Sequence, residues 1–479
     1  MQERANPILC MRPVKCRGLP IFLLHPVFAK YLSLSKGELP ATREATSAVH
    51  VARELCHTMG NAFDHENDRR DAFFNAIRPL FSPWATSKEV SAQGATVSTR
   101  TDMTISANGT SMVLIEIKNG KEGDGYMQAS RGYEVVTEEL AQNKQKFVHH
   151  GAPMFICCLS GQSRFTLDRR CIPDMVHTDE ELRIAGAFKD GEQAVVEPLS
   201  YNLLYPDFRQ GGRMMQVAQT LFALYSCLED IAKEINRYGI SSPGYYIFLR
   251  SKLPSPEPPS VYAPSCPRVF STIRNPATNQ DQPLEFIQLR KDLWDTDDET
   301  VNYLNLIYEA NFAREKVLAK VVPCSYGTNV HTHLAAKSMA PRLYATSNLH
   351  DLVSVVVMEL LKDGWTTLYN YRENTYPDGI PEESRTRLLG RMEAILGCLE
   401  AGRMVHGDFR AANIMLKPGE EANAMLIDFD WAGEAGVAKY PFTRNDLGYP
   451  GQPGGFIAAE HDRTFYETWK DRVFKPCTP

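Results

Sequence analysis

Residues 405–430 read VHGDFRAANIMLKPGEEANAMLIDFD, and this stretch is the most informative part of the chain. It places Asp408, Asn413 and Asp428 on either side of a short apolar run, AMLI, which has the character of a buried strand. Carboxylate and amide oxygens are ligands that suit Mg²⁺, and a carboxylate can also accept the proton of an attacking hydroxyl. The spacing therefore predicts a phosphoryl-transfer site near the C-terminal end of the chain.

A second polar cluster is predicted upstream, around a β-hairpin. Two strand-like runs flank the dipeptide Asn-Gly at residues 108–109, which is a strong turn signal. Because side chains alternate along a strand, Glu116 and Lys118 share one face. A two-residue loop pairs Asp102 with Ile115 and turns it to the opposite face, whereas a three-residue loop with a glycine bulge brings it beside Glu116. We therefore predict a bulged turn.

This upstream cluster has the chemistry of metal-dependent phosphodiester cleavage. Asp102 and Glu116 can hold a divalent cation that polarises the phosphodiester and generates hydroxide from bound water. Lys118 would orient that water and stabilise charge on phosphorus. Glu66, in a helical segment, adds a further carboxylate. The alternative is that Glu116 and Lys118 form the polar face of a half-exposed strand.

The surrounding sequence resembles a known nuclease family. An aspartate before the hairpin, a strand ending in IEIKNG and a following helix with Gln128 and Tyr133 are similar to the PD-(D/E)XK superfamily over residues 50–184. The resemblance is greatest to the nuclease domains of fungal Crinkler-type effectors, although Thr101 replaces the superfamily's proline. It implies a restriction-endonuclease-like αβ domain that uses Mg²⁺, with Mn²⁺ as an alternative, and that binds DNA, with RNA as an alternative.

The same resemblance assigns roles to individual residues. It implies that Asp102, Glu116 and Lys118 are catalytic, with Glu66 and Gln128 as additional site residues. Clustered positive charge suits phosphate contacts, although it also suits an ordinary solvated surface. The candidate DNA contacts are Lys144, Lys146, His149, His150, Arg164, Arg169 and Arg170.

The C-terminal motif resembles kinases. Protein kinases and aminoglycoside or choline kinases share its order, in which the position of Asp408 orients the acceptor hydroxyl and those of Asn413 and Asp428 hold magnesium. The wording HGD and IDFD is similar to the small-molecule branch and to fungal kinase-like domains. Upstream, KVLAKVV presents Lys320 as the lysine that pairs with ATP phosphates, with Lys316 as its competitor. The run VVVMELL resembles the adenine-binding hinge of kinases at Met358, Glu359 and Leu360, and the alternative for both strands is ordinary core.

Three features depart from the kinase pattern. No glycine occurs from residue 245 to residue 326, so a glycine-rich phosphate loop is absent in its usual form. No acidic residue lies between Lys320 and Asp351, so the helix glutamate that normally pairs with the lysine is missing. Only 49 residues follow Asp430, which leaves a short C-terminal lobe without a recognisable activation loop. Whether such a domain transfers phosphate, and to a protein or a small molecule, stays open.

Bulk properties fit an intracellular protein of two or more domains. The chain has 479 residues, 43% hydrophobic content and a formal net charge of -6, so a nucleic-acid partner would have to meet a local basic patch. The eleven cysteines form no CxxC pair or zinc-like cluster, which favours a reducing compartment. The apolar patch near the N-terminus is interrupted by Pro20 and Pro26, and we expect no membrane segment.

Together these patterns predict an α/β (α+β) chain with four parts. They are an N-terminal extension (1–40), a nuclease-like domain (41–245), a proline-rich linker (246–284) and a minimal bilobal kinase-like domain (285–479). The combination resembles Crinkler-type effectors, which implies action in the nucleus or cytoplasm, including that of a host cell. Three hypotheses remain: a nuclease joined to an active phosphotransferase, a nuclease regulated by an ATP-binding pseudokinase, or a non-enzymatic interaction protein.

Overall fold

The structure is a computed structural model that describes residues 19–59, 63, 65–93, 98–119, 125–142, 151–161, 181–190, 193–204, 212–239, 266–276, 278–290, 306–323, 326–362, 364–442 and 448–475. The fold is mixed α+β and divides into two compact units. Unit 1 comprises Met1–Val269 and Asp297–Val301, and unit 2 comprises Phe270–Thr296 and Asn302–Pro479. No helix within the described ranges is long and apolar enough to cross a membrane.

Unit 1 is a six-stranded sheet with helices packed against it. Its strands run in the order β1-β2-β3-β4-β5-β6, and all neighbours are antiparallel except β3 and β4. The parallel pair requires a crossover connection, which α5 supplies. The elements are α1 (Ile21–Leu24), α2 (Pro26–Leu34), α3 (Arg43–Met59), α4 (Glu66–Phe81), β1 (Ala85–Gln93), β2 (Ser98–Ala107), β3 (Thr110–Asn119), α5 (Gly125–Gln142), β4 (Met154–Gly161), β5 (Glu181–Asp190), β6 (Gln193–Leu203) and α6 (Gly212–Gly239).

The N-terminal helices belong to the core of unit 1. The Ile21 N–H donates to the Glu197 carboxylate at 2.6 Å, and the rings of Phe28 and Phe155 meet edge to face at 5.4 Å. Tyr31 is fully buried. Our interpretation of residues 1–40 as an extension outside the domain is therefore wrong for α1 and α2, whose apolar residues are buried against the sheet.

The β2–β3 hairpin has the predicted strands and a different bulge. Asn108 and Gly109 form a two-residue turn, both with positive φ (49° and 76°), as a tight hairpin turn requires. The register shifts further along, where Ile105 pairs with Val113 but Ser106 pairs with Ser111. Met112 is thus an extra residue in β3. The predicted three-residue turn with a glycine bulge is therefore wrong, and the extra residue lies in the strand.

Unit 2 begins with a six-stranded antiparallel sheet in the order β11-β12-β10-β9-β8-β7. Its elements are β7 (Thr272–Asn275), β8 (Gln280–Leu289), β9 (Leu306–Phe312), β10 (Glu315–Pro323), α7 (Thr328–Ala335), β11 (Leu343–Leu349) and β12 (Val353–Glu359). The proline-rich linker was predicted to extend to residue 284, and this is wrong for β7 and the first half of β8. Only Ile273 in β7 and Leu284 in β8 are buried, so these strands carry no alternating apolar pattern.

The rest of unit 2 is helical with short two- and three-stranded sheets. It contains β13 (Thr366–Thr367), α8 (Leu368–Asn370), a π-helical turn (Tyr371–Thr375), α9 (Glu382–Ala401), β14 (Met404–Val405), a 3-10 turn (Ala411–Asn413), β15 (Ile414–Leu416), a second 3-10 turn (Glu421–Asn423), β16 (Met425–Leu426), β17 (Gly433–Glu434) and α10 (His461–Val473). The strands pair as β13-β15-β16 and β14-β17. Segment 406–413 therefore connects β14 to β15, and segment 427–430 directly follows β16.

Candidate active sites

The loop between β14 and β15 brings Asp408 and Asn413 into contact. The Asn413 side-chain amide donates to the Asp408 carboxylate at 2.7 Å and to the Asp408 carbonyl at 2.9 Å. The 3-10 turn Ala411–Asn413 closes the gap in sequence between them. Both residues are buried. Because the amide nitrogen donates both hydrogen bonds, the amide oxygen is the Asn413 atom that can coordinate a cation.

Helix α10 holds this loop through contacts that sequence inspection missed. The buried Asp462 carboxylate accepts hydrogen bonds from the His406 N–H at 2.5 Å and the Gly407 N–H at 2.8 Å. Burial raises the pKa of Asp462, and the nearby His406 and the two backbone N–H donors offset this only in part. The Trp469 indole donates to the Phe409 carbonyl at 2.8 Å. Asp462 lies 54 residues beyond Asp408 in an unremarkable polar helix, so no local pattern points to it.

The segment after β16 joins Lys320 to two aspartates. Lys320 Nζ lies 2.5 Å from Asp428 Oδ1 and 2.7 Å from Asp430 Oδ1. Burial disfavours the lysine's charge, but Asp428 and then Asp430 outweigh this and raise the pKa of Lys320. Lys316, the competing lysine, is exposed on the same strand. The structure therefore brings Lys320, and not Lys316, to Asp428.

The two carboxyls of this cluster titrate in opposite directions. Burial raises the pKa of each, but Lys320 holds that of Asp428 below its ordinary value. For Asp430, burial and the neighbouring Asp428 charge outweigh Lys320 and raise the pKa to about 6. Next to the same lysine, Asp428 therefore ionises at a lower pH than Asp430 does. Asp430 was not among the predicted site residues.

Strand β12 contains Met358 and Glu359, two of the three residues predicted to form the hinge. Lys320 is opposite Val356 and Leu318 is opposite Met358, so Lys320 and Met358 share one face of the sheet. The Glu359 N–H donates to the Arg342 carbonyl at 2.8 Å and is engaged within the protein. Leu360 follows the strand and is half-buried.

Helix α7 follows the lysine strand and presents a histidine. His331 is buried, and its ring stacks on Phe429 at 4.5 Å with 10° between planes. Its Nε2 lies 2.8 Å from the Pro341 carbonyl and its Nδ1 lies 2.9 Å from the Tyr326 hydroxyl. Burial lowers the pKa of His331 to about 4, so the ring is neutral at pH 7. Nε2 therefore donates and Nδ1 accepts. The stacked ring fixes Phe429, which lies between the two aspartates in sequence.

Asp408 also contacts a tyrosine from the segment that precedes α10. The Tyr449 hydroxyl lies 2.6 Å from Asp408 Oδ1. Arg410 Nε lies 3.1 Å from Asp408 Oδ2. The Tyr449 contact has no signature in the sequence, because Tyr449 is 41 residues from Asp408.

In unit 1 the structure gathers the predicted upstream residues. The bulge at Met112 places Asp102 level with Glu116, as the pairing of Met103 with Ile115 requires. The Ile117 N–H donates to Asp102 Oδ2 at 2.9 Å. Lys118 Nζ lies 3.8 Å from Glu116 Oε2, and Glu66 at the start of α4 lies 3.5 Å from the same nitrogen.

The electrostatics of this cluster indicate a shortage of positive charge. Burial, followed by the neighbouring Asp102 charge, raises the pKa of Glu116 to about 8, and Lys118 only partly offsets this. Carboxylate oxygens at this density are chemically suited to a divalent cation. In the described part of the chain, however, no three His, Cys, Asp or Glu side chains stand close enough to form a ready cation site. Lys118 lies between Glu116 and Glu66, so cation binding requires these side chains to re-orient.

Other residues near the cluster have distinct positions. Arg70 of α4 lies 3.9 Å from Asp102 and 3.0 Å from Glu89, which adds a cation that the sequence did not suggest. Gln128 is exposed on α5. Tyr133 is fully buried and donates to backbone carbonyls at residues 151 and 152, so it is a core residue. The seven candidate DNA contacts at positions 144–170 lie outside the described residues.

Comparison with known proteins yields kinase domains among solved structures. No protein-family model matches the chain, and no curated protein is significantly similar to it in sequence. The chain is similar to the structure of the Cydia pomonella granulovirus kinase PK-1, with 16% identity, 35% of this chain and 60% of that chain covered, and a TM-score of 0.28. The structure of vaccinia related kinase 3 gives 16% identity, with 43% of this chain and 67% of that chain covered, and a TM-score of 0.32. The BubR1 kinase domain gives 14% identity, with 40% of this chain and 62% of that chain covered, and a TM-score of 0.31. The chain thus spans 60% of the first of these, and TM-scores at this level carry no functional argument.

Proposed function

We propose that unit 2 is a kinase-like phosphotransferase that binds magnesium and ATP. The observation that carries this proposal is the convergence of Lys320 with Asp428, next to the bonded pair Asp408 and Asn413. The Ile427 N–H donates to the Asn413 carbonyl at 2.9 Å, which joins the two clusters through the backbone. A phosphoryl-transfer centre needs this combination of a cation-binding pair, a phosphate-binding lysine and a carboxylate beside the acceptor.

Each residue has a role that its environment supports. Lys320 would bind nucleotide phosphates, and Asp428 with the Asn413 amide oxygen would bind the cation. Asp408 would orient the acceptor hydroxyl and receive its proton. Magnesium-ATP, when bound, supplies the transferable phosphoryl group. Met358, Glu359 and Leu360 would line the adenine position.

Asp430 offers a substitute for the missing helix glutamate. The segment 321–350 contains no acidic residue, yet Lys320 is bonded to Asp430 at 2.7 Å. When Asp428 turns to a cation, Asp430 would keep Lys320 in place. Asp430→Asn should therefore raise the KM for ATP more than it lowers kcat.

The proposal is tested by magnesium-ATP binding and turnover with the full chain. Asp428→Ala should abolish magnesium-dependent ATP binding, whereas Asp378→Ala, an exposed aspartate of the same unit, should leave it unchanged. Asp408→Asn should keep binding and lose turnover. Unchanged nucleotide affinity in Asp428→Ala would contradict the assignment. Retained binding with no turnover in the wild type would favour a regulatory pseudokinase.

We propose for unit 1 a magnesium-dependent nuclease. The supporting observation is that Asp102, Glu116, Lys118 and Glu66, from two strands and a helix, meet at one place. In this proposal the carboxylates hold Mg²⁺ or Mn²⁺ and Lys118 orients the attacking water, with DNA as substrate and RNA as the alternative. The Crinkler-like combination of both activities, acting in a nucleus or cytoplasm, belongs to the same proposal.

The nuclease is tested by cleavage of supercoiled plasmid with Mg²⁺ or Mn²⁺, with and without ATP. Lys118→Ala should abolish cleavage, and Lys88→Ala, on strand β1 of the same sheet, is the matched control. An ATP dependence that survives Asp408→Asn would favour the regulated-nuclease alternative. No cleavage of plasmid or RNA would contradict the nuclease, and absence of metal binding at both sites would favour a non-enzymatic interaction protein.

A further inference from the structure

Tyr449 occupies the acceptor side of Asp408. The two carboxylate oxygens of Asp408 have different partners: Oδ2 is bound by Asn413 at 2.7 Å and lies 3.1 Å from Arg410 Nε, whereas Oδ1 receives the Tyr449 hydroxyl at 2.6 Å. Oδ2 is thus engaged by its own loop. Oδ1 makes the contact that a general base makes with the hydroxyl it deprotonates, about 2.6–3.2 Å between heavy atoms.

Aromatic packing holds the Tyr449 ring in this position. Its ring stacks on Phe465 of α10 with centroids 4.4 Å apart, and it makes tilted contacts with Trp431 at 5.5 Å and Tyr440 at 5.8 Å. These three rings therefore restrain the Tyr449 side chain, although it is only half-buried. A hydroxyl restrained in this way reacts as an intramolecular group, which raises its effective concentration by orders of magnitude.

We propose that Tyr449 is a phosphate acceptor of its own chain, modified by the site that contains Asp408. This proposal rests on the phosphotransferase function of unit 2, with a magnesium-bound nucleoside triphosphate as co-reactant. The Tyr449 phenolic oxygen forms a bond to the γ-phosphorus, and the bond from that phosphorus to the β–γ bridging oxygen breaks. The nucleoside diphosphate leaves with the electron pair, and the phenolic proton passes to Asp408.

The modification would change access to Asp408. A phosphotyrosine carries close to two negative charges and is repelled by a neighbouring carboxylate. The modified side chain therefore leaves Oδ1, and the acceptor position opens to an external hydroxyl. Tyr449 is then the first substrate, and before its modification it blocks the acceptor site for other hydroxyl groups.

The test is incubation of the full chain with magnesium-ATP, followed by mass spectrometry of the peptide that contains Tyr449. We expect phosphate on Tyr449, at a rate that does not depend on protein concentration, because donor and acceptor belong to one chain. Tyr449→Phe keeps the ring contacts and should remove this signal. Tyr369→Phe, which removes a half-exposed tyrosine of the same unit, should leave it intact. Asp408→Asn should bind magnesium-ATP and show no label.

The outcomes separate this inference from the function of unit 2. If the chain hydrolyses ATP or labels another acceptor while Tyr449 stays unmodified, the inference is wrong and the phosphotransferase stands. If Tyr449 is labelled at a rate proportional to protein concentration, modification occurs between chains and the intramolecular inference is overturned. If the chain neither binds nor turns over magnesium-ATP, both the Tyr449 inference and the phosphotransferase function of unit 2 are wrong. An unchanged Tm in Tyr449→Phe excludes misfolding as the reason for a lost signal.

Discussion

The two candidate sites use the same residue types at different distances. In unit 2, Lys320 is bonded to Asp428 and Asp430 at 2.5 and 2.7 Å. In unit 1, Lys118 lies 3.5 and 3.8 Å from Glu66 and Glu116. The second pair of distances exceeds the roughly 2.7–2.9 Å of a charge-assisted hydrogen bond.

This difference changes which carboxyl is ionised. The close lysine holds the pKa of Asp428 below its ordinary value, whereas burial and Asp102 raise the pKa of Glu116 to about 8. The cluster in unit 2 is therefore balanced by its own lysine. The cluster in unit 1 is balanced at neutral pH by a proton on Glu116. Similar residues thus produce one cluster whose charge is matched by a close lysine and one in which a buried carboxyl has a raised pKa.

The largest effect is expected from removal of the lysine in unit 2. Lys320→Met should lower the free energy of unfolding of unit 2 by about 3 kcal/mol, because it leaves two neighbouring carboxyls without their cation. Lys316→Met, at an exposed position of the same strand, should change it by less than about 0.5 kcal/mol. Denaturant titration with hydrogen exchange of peptides from β10 measures both. Equal losses of unfolding free energy in the two variants would contradict the view that Lys320 neutralises the two aspartates.

A smaller, pH-dependent effect is expected from Glu116→Gln. The folded-state pKa of Glu116, about 8, lies above the ordinary value of 4.5, so wild-type unit 1 loses stability as pH rises from 4.5 through 8. Glutamine does not ionise, so the free energy of unfolding of the variant should lie clearly above that of the wild type at pH 9 and close to it at pH 4. Urea unfolding followed in β3 peptides gives the profile. Glu54→Gln, an exposed residue of α3, is the control, and a pH-independent difference would show that Glu116 is not the responsible group.

The smallest effect is expected from Lys118→Met. Its Nζ lies beyond close hydrogen-bond distance of both partners, and Glu116 is already protonated at neutral pH. The free energy of unfolding of unit 1 should therefore change by less than about 1 kcal/mol at pH 7. The same titration compares it directly with Lys320→Met. A loss as large as that of Lys320→Met would remove the distinction between the two sites.

Local sequence predicted the elements better than it predicted their partners. The Asn-Gly turn and the alternation of Glu116 and Lys118 follow from short-range chemistry, and the hairpin prediction is confirmed. The bulge at Met112 was expected in the turn, because nothing in the strand sequence marks where an extra residue can be accommodated. Strands β7 and β8 were missed for a related reason: with one buried residue each, they lack the apolar alternation that identifies a strand.

The order of amino acids alone set the spacing of Asp408, Asn413 and Asp428, since a tight turn and a short strand pair bring neighbours in sequence together. It also identified the lysine strand, whose nearly continuous apolar run marks it as buried. Only the folded chain decided that Lys320 meets Asp430, that Asp462 supports the loop and that Tyr449 bonds to Asp408. These partners are 41 to 110 residues apart, and they meet because packing of sheet and helices orients isolated polar side chains that no local pattern distinguishes.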